Sequence, residues 1–215
     1  MTADTTQKAL LDAAETLLGE VGFAAMSLRE LSRRAGANLA SAHYHFGSKE
    51  DLVRAVMSRR IEPVNQERMR RLDAIEAAHP GDAPWPARDV VAAFVGPALE
   101  LAAQLGPGPC AMMGRLIAEQ PPFLREFLAQ QFGDVALRFA QALQRAVPGL
   151  AAEDAFWRLH FTIGAMIHTM QHATVMQQVS GGAIDAADVD GVVAQLTAFC
   201  VAGASAPRVR GAHLR

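Results

Sequence analysis

The sequence predicts an all-α protein of about nine helices, and three observations predict it. Apolar residues recur at intervals of three and four along most of the chain, the period of a helix with one buried face. Glycine and proline cluster between those periodic stretches. No stretch alternates apolar and polar residues as a half-buried strand does, and there is neither an internal repeat nor a low-complexity tract. The 215 residues, 51% of them apolar, suffice for a sizeable core in one large domain or two unequal ones.

The elements follow in order. Residues 6–21 set Ala9, Leu10, Ala13, Ala14, Leu17, Leu18 and Val21 at helical spacing, and Gly22 supplies a stop with Phe23 behind it as an apolar clamp. Ser27 and Glu30 have the spacing of a capping box, so a second helix starts near Leu28. It turns Leu28, Leu31 and Ala35 inward and Arg29, Arg33 and Arg34 outward. Gly36 ends it. Asn38 caps a short third helix, Leu39 to His45, and Gly47 breaks the chain again. Ser48, three residues before Asp51, caps a fourth that runs toward Ala78, with Leu52, Val53 and Val56 inward and Pro63 kinking or dividing it.

The run 79–86 is a linker rich in proline. Helix five follows over 87–105, then a Gly-Pro-Gly-Pro break at 106–109 and a short helix over 110–119 that stops at Pro121 and Pro122. Helix seven spans 122–146 and ends at Pro148-Gly149. Helix eight spans 153–178, and Gly181-Gly182 separates it from the last, 186–203. The tail is basic and loose.

Two short helices joined by a glycine turn, followed by the capped start of a third, form the layout of a helix-turn-helix, whose second helix enters the DNA major groove. The charge distribution agrees. The net charge is only −2, yet residues 27–71 hold ten Lys/Arg against five Asp/Glu, and residues 72–204 hold six against thirteen. A basic segment on an acidic remainder suits a protein that meets phosphate with one end. The expected division is a helix-turn-helix domain over 1–50, a second helical domain over 51–205, and a basic tail over 206–215.

Other classes fit poorly. The chain has no GxSxG, GxGxxG, P-loop or HExxH pattern, so neither an enzyme nor a bound cofactor is expected. Cys110 follows Gly-Pro-Gly-Pro, but a small buried residue explains it better than a nucleophile. Asp4, Asp12 and Glu15 interrupt any secretory signal, and the most apolar stretch, 156–176, carries Arg158, His160, His168 and His172, so no membrane span is expected. Two distant cysteines, Cys110 and Cys200, fit a reducing cytoplasm. The alternative that survives is a helical interaction or sensor protein without sequence-specific DNA binding.

Residues 6–52 resemble the N-terminal domain of the TetR family of bacterial transcriptional regulators. The resemblance is carried by Ala13-Ala14 with Leu17-Leu18, Gly22-Phe23, Ser27 before Leu28, Leu31, Ala35-Gly36, Tyr44-His45-Phe46, Ser48-Lys49-Glu50 and Leu52. His43 departs from the family, where an aromatic tyrosine is common. Trp157-Arg-Leu-His160 with Gly164-Ala-Met-Ile-His168 resembles, more weakly, the C-terminal domain of a subgroup that includes the fatty-acid-responsive regulator PsrA. The resemblance implies dimerisation through the last two helices and a ligand pocket in the C-terminal part.

A slim third helix can lie in a groove: Ala40, Ser41 and Ala42 allow close approach. Leu39 is expected at a thymine methyl, Ser41 and Asn38 at base edges or phosphates, and His43 beside Leu39 as a donor. Tyr44 resembles the family's phosphate-contacting aromatic. Lys49, at the start of helix four, and Ser27, at the start of helix two, are placed for phosphates. The third helix carries no Arg or Lys, so DNA shape should share in the readout. Two such units about 34–36 Å apart match successive major grooves, which calls for a homodimer and a palindromic operator.

The acidic part is rich in Met and Phe, which line adaptable cavities as well as ordinary cores. The expected effector is small and apolar, such as a fatty acid or acyl thioester. Its expected contacts are Met112, Met113, Arg115, Leu116, Phe123, Phe127, Trp157, His160 and Met166, with Arg115 or His160 holding a carboxylate. His160, His168 and His172 share a helix face, but without an acidic or thiol partner they read as core or interface residues, and no metal is expected.

Overall fold

The computed structural model describes residues 3–207, and among these it contains nine helices and no strand. They are α1 (Ala3–Ala25), α2 (Leu28–Arg34), α3 (Leu39–Phe46), α4 (Lys49–Ala78), α5 (Ala87–Leu105), α6 (Pro107–Glu119), α7 (Leu124–Ala146), α8 (Ala152–Val179) and α9 (Val189–Ala204). The all-α expectation holds. Of the expected tail, residues 208–215 lie outside the described residues.

Local chemistry explains where the boundaries moved. α1 bends at Gly22, whose φ of 77° and ψ of −179° are not helical, and one further turn completes it. α6 begins at Pro107, earlier than expected, because proline at the first helical positions forfeits no hydrogen bond and presets φ. α7 starts two residues late, after Gln120 turns through a left-handed φ of 46°. α9 starts late as well, where the Asp188 carboxylate accepts from the Gly191 amide at 2.9 Å. Pro63 does not divide α4, which runs through it.

The chain forms two compact units. The first comprises the chain to Pro63 together with residues 104–132; the second comprises residues 64–103 and the chain from Gly133 onward. The expected boundary lay at residue 50, whereas the compact units part within α4 at its proline and α6 belongs to the first unit.

The core of the first unit gathers Leu10, Leu17 and Leu18 of α1, Leu31 of α2, Ala42 of α3, Leu52, Val56 and Met57 of α4, and Met112 and Leu116 of α6. Phe123, Leu124 and Phe127 complete it. α6 packs against α1. Arg59 and Arg60 of α4 clasp the same Glu15 carboxylate of α1, at 2.5 Å and 2.8 Å, and Arg59 also reaches Asp12 at 2.6 Å. Glu15 is buried, so this bidentate pairing fixes α4 to α1 rather than decorating a surface.

In the second unit Leu72, Val90, Phe94, Leu99, Phe139, Leu143, Leu159, Met166, Leu196 and Cys200 form one cluster. Phe94 and Phe139 meet edge to face at 5.0 Å. The Arg145 guanidinium lies 4.4 Å over the Trp85 ring and donates to the carbonyls of His79 and Gly81, which ties down the linker expected at 79–86. Arg71 bridges α4 to α5 through Glu100 at 2.6 Å, and Arg138 joins α7 to Asp73 and Glu76 of α4.

Candidate nucleic-acid interface

Ser27 opens α2: its hydroxyl accepts the Glu30 amide at 3.2 Å. The reciprocal half of the expected capping box is not made among the described residues. The Glu30 carboxylate turns instead to Arg33 at 2.6 Å and Arg34 at 3.0 Å, and those bonds hold it well below the usual carboxylate range, at about 2. Arg34 also reaches Glu20 at 2.6 Å. The two arginines are therefore paired within the first unit and not a free cationic face.

The turn to α3 passes through Gly36, whose φ of 62° suits a residue without Cβ. Asn38 then caps α3, its Oδ1 accepting both the Ser41 amide at 2.7 Å and the Ser41 hydroxyl at 2.9 Å. Asn38 and Ser41, both expected at DNA, are thus committed to the cap before any DNA arrives, although each keeps lone pairs for a further bond.

One residue of α3 is fully buried and four are presented. Ala42 is buried in the core, while Leu39, Ala40, His43 and Tyr44 stand in solvent. Leu39 is 43% exposed and Tyr44 84%, the latter an unusual state for the chain's one tyrosine in an otherwise well-packed unit. His43 Nδ1 pairs with the Gly47 carbonyl at 3.1 Å. In the neutral ring Nδ1 is then the donor and Nε2 an acceptor, opposite to the donor role expected of it toward DNA. His45 and Phe46 are half-buried, and Phe46 packs on the core.

Ser48 accepts the Asp51 amide at 3.0 Å and donates to the Asp51 carboxylate at 2.6 Å, capping α4. Lys49 leans back over α1: its ammonium sits 4.4 Å from the Phe23 ring centroid and donates to the Ala24 carbonyl at 3.5 Å. The amide of the same Ala24 donates to Glu119 of α6 at 3.0 Å. That link between residues 95 apart had no signal in the sequence.

The nine residues expected around an effector are shared between the two compact units. Met112 and Leu116 are fully buried in the first unit's core, where Phe123, Phe127 and the half-buried Met113 join them. Arg115 is exposed. Met166 is buried in the second unit. Trp157 and His160 are exposed on α8, where Trp157 stacks on Phe161 at 5.8 Å and meets His160 edge-on. His168 and His172, also exposed, stack at 4.5 Å. Among the described residues no group of three or more His, Cys, Asp or Glu is close enough to hold a metal ion.

Known proteins share this arrangement. Residues 10–56, which include α2 and α3, match the family model described as "Bacterial regulatory proteins, tetR family", and residues 92–203 match "Tetracyclin repressor-like, C-terminal domain". The chain belongs to the TetR family of transcriptional regulators. That membership makes it a DNA-binding regulator and not an enzyme. A curated relative, the HTH-type transcriptional regulator BetI of Rhizobium meliloti (strain 1021), is 45% identical over 51 residues, covering 24% of this chain and 25% of that protein. The chain thus matches about a quarter of that relative's length.

Solved structures extend the TetR likeness to the whole chain at the level of fold. The SmeT–triclosan complex, SmeT being the repressor of the Stenotrophomonas maltophilia efflux pump SmeDEF, superposes with a TM-score of 0.65 at 20% identity over 98% of this chain and 99% of that one. The fatty acid degradation regulator FadR of Bacillus halodurans gives 0.62 at 13% identity over 92% and 95%. Among the described residues no single helix is long and apolar enough to cross a membrane.

Proposed function

We propose that this TetR-family regulator is a cytoplasmic repressor that binds a roughly palindromic operator as a homodimer and leaves it when a small apolar effector binds. The observation that carries the DNA half is the presentation of α3. Ala42 seats the helix, and Leu39, His43 and Tyr44 stand outward, the Tyr44 ring meeting only the neighbouring His45 ring edge-on at 5.3 Å among the described interactions. Leu39 meets a thymine methyl, and Ser41 and His43 meet base edges. Tyr44, Lys49, Asn38 and Ser27 meet phosphates, which position the helix without reading sequence.

The dimer surface is the outer side of α8 and α9. Phe156, Trp157, Phe161, Val179 and Phe199 stand in solvent there, on helices that pack against one another. Burying an aromatic or large aliphatic side chain is worth about 1.5–3 kcal/mol, so such a patch favours association with a copy of itself. A two-fold pairing supplies the two recognition helices that successive major grooves require.

The effector reading rests on the second unit's cluster of Phe94, Phe139, Leu159 and Met166, flanked by the half-buried Met170 and Ile163. Of the nine contacts read from the sequence, Met166 is the one in this cluster. SmeT binds triclosan and FadR is named for fatty acid degradation, but likenesses at this identity carry the fold and not the ligand. α4 contributes to both units, so an effector that favours one setting of α4 biases α3 through it. A coupling of about 1–3 kcal/mol changes operator affinity about 5- to 150-fold.

The test is selection of DNA fragments by the purified protein, followed by fluorescence anisotropy across a salt series. An enriched inverted repeat whose affinity falls steeply with salt is expected. Titration of dodecanoate into that complex should release the DNA. Recovery of no common sequence favours the helical interaction or sensor protein instead, and release by no apolar compound removes the effector half alone.

A further inference from the structure

α4 carries six arginines, and five of them find a carboxylate. Arg54 lies 3.9 Å from Asp51, Arg59 and Arg60 share Glu15, Arg70 takes Glu67, and Arg71 takes Glu67 and Glu100. Arg68 is the exception. It is also the most deeply buried of the six, at 2% exposure, and no carboxylate lies within salt-bridge distance of it among the described residues.

What Arg68 meets is uncharged: two amide carbonyls, a thioether and an aromatic ring. Its Nε donates to the Phe94 carbonyl at 2.8 Å, one terminal nitrogen donates to Asn65 Oδ1 at 3.2 Å, and the other meets the Met166 sulfur at 3.5 Å. The guanidinium lies 4.2 Å over the Phe94 ring. Burial alone pushes its pKa down, to about 10, with no acidic neighbour acting to restore it. A guanidinium has five N–H donors. The three bonds use one on each nitrogen and leave one on each terminal nitrogen, and the sulfur is the weakest of the three acceptors.

A buried charge without a counter-ion is expensive, and folded proteins remove the cost by pairing it. Leucine or methionine at this position would avoid the cost of the charge and give up only the bonds to the Phe94 carbonyl and Asn65. The chain keeps a cation there, next to the most aromatic part of the second unit's core, where a carboxylate entering from solution would gain a bidentate, charge-assisted partner.

We infer that Arg68 is the anchor for the carboxylate of an apolar ligand, with Phe94 and Met166 against the first atoms of its apolar body. This rests on the effector reading above and narrows it from apolar compounds to apolar acids. It also moves the carboxylate from Arg115 and His160, both exposed, to a residue that the sequence alone does not single out.

The experiment compares three probes of one chain length, dodecanoate, dodecan-1-ol and dodecyltrimethylammonium, by isothermal titration with the full-length protein. Dodecanoate should bind the wild type about tenfold or more tightly than the alcohol, the scale of one charge-assisted contact, and the cation weakest. Arg68→Lys should keep part of that preference and Arg68→Met should abolish it while the alcohol binds at least as well as before. Circular dichroism and DNA binding report whether each variant is folded, and if Arg68→Met is not, the wild-type ranking and Arg68→Lys still decide. Equal affinity for acid and alcohol in the wild type, or an acid preference that survives in folded Arg68→Met, overturns the anchor and leaves the apolar-effector reading standing. Binding of none of the three overturns both.

Discussion

The Glu119 carboxylate occupies the space where Gly22 would carry a Cβ. A methyl group built on Gly22 falls well inside contact distance of that carboxylate, and the same group accepts the Ala24 amide at 3.0 Å. α6 therefore reaches the bend of α1 because residue 22 has no side chain, and the bend lies directly beneath Lys49. Gly22→Ala carries two penalties: a φ of 77° with an extended ψ, a region nearly reserved for glycine, and displacement of Glu119. The backbone cost alone is about 1–3 kcal/mol. Urea denaturation should show that loss. Glu119→Ala, which removes the carboxylate and spares the backbone, should cost less, and the opposite ranking would mean that the carboxylate contact and not the bend matters.

Lys49 and Tyr44 on one side, Leu39 and Ser41 on the other, should separate cleanly in DNA binding. Lys49→Ala removes one phosphate contact, so affinity should fall for every sequence and the slope of log K against log salt should shrink by about 0.9. Tyr44→Phe keeps the ring and loses the phenol, and it too should weaken all sequences alike. Leu39→Ala should instead flatten the preference at one position of each half-site by about 1 kcal/mol, with the salt slope untouched. Anisotropy on a set of single-base variants reads both quantities. If Lys49→Ala changes sequence preference and not the salt slope, its ammonium stays on Phe23 and Ala24 in the complex.

The helices were legible because their signals are local. Asn38 and Ser48 cap the helices they were read to cap, and Gly22, Gly36 and Gly47 break the chain where positive φ is needed. His43 outward beside Leu39 follows from helical spacing, but Ala42, read with Ala40 and Ser41 as leaving room in the groove, faces the core instead. What stayed hidden depends on residues far apart in the chain. Glu30 was read as the partner of Ser27, yet Arg33 and Arg34 compete for it and win, because a guanidinium outbids an amide for a carboxylate. Arg68 is one arginine in a run of them, and only the fold distinguishes the one without a carboxylate. The Met- and Phe-rich stretch read as one pocket lining splits between two cores, since composition does not say which side of a chain crossing a residue falls on.

Acid should loosen the second unit through Glu67. Its pKa falls from an ordinary 4.5 to about 2, first because Arg70 and then because Arg71 hydrogen-bonds its carboxylate. A depressed folded-state pKa contributes stability that is complete above 4.5 and disappears as pH falls through 4.5 toward 2. Glu67 is only partly covered, so solvent screening limits the contribution to about 0.5–1 kcal/mol. Wild type and Glu67→Gln should therefore differ most near neutral pH and converge by about pH 2, followed as urea midpoints at fixed salt. A constant gap across that range would assign the difference to packing.

Phe199 of α9 is 71% exposed, and Phe161 of α8 is exposed beside the stacked Trp157. Neither contributes to the core clusters, so replacing them should barely change the folding of a single chain. Phe199→Asp and Phe161→Asp should nevertheless weaken self-association, each by about 2 kcal/mol or more, because a carboxylate in an apolar interface loses the burial gain and remains desolvated. Sedimentation equilibrium gives the dimer constant directly. Operator affinity should fall in proportion, since one recognition helix makes too few phosphate and base contacts to hold alone. The two measurements bear on different links. A dimer that survives both substitutions places the interface elsewhere on the chain. A monomer that still binds the full operator with wild-type affinity would break the argument from half-site geometry to two-fold symmetry.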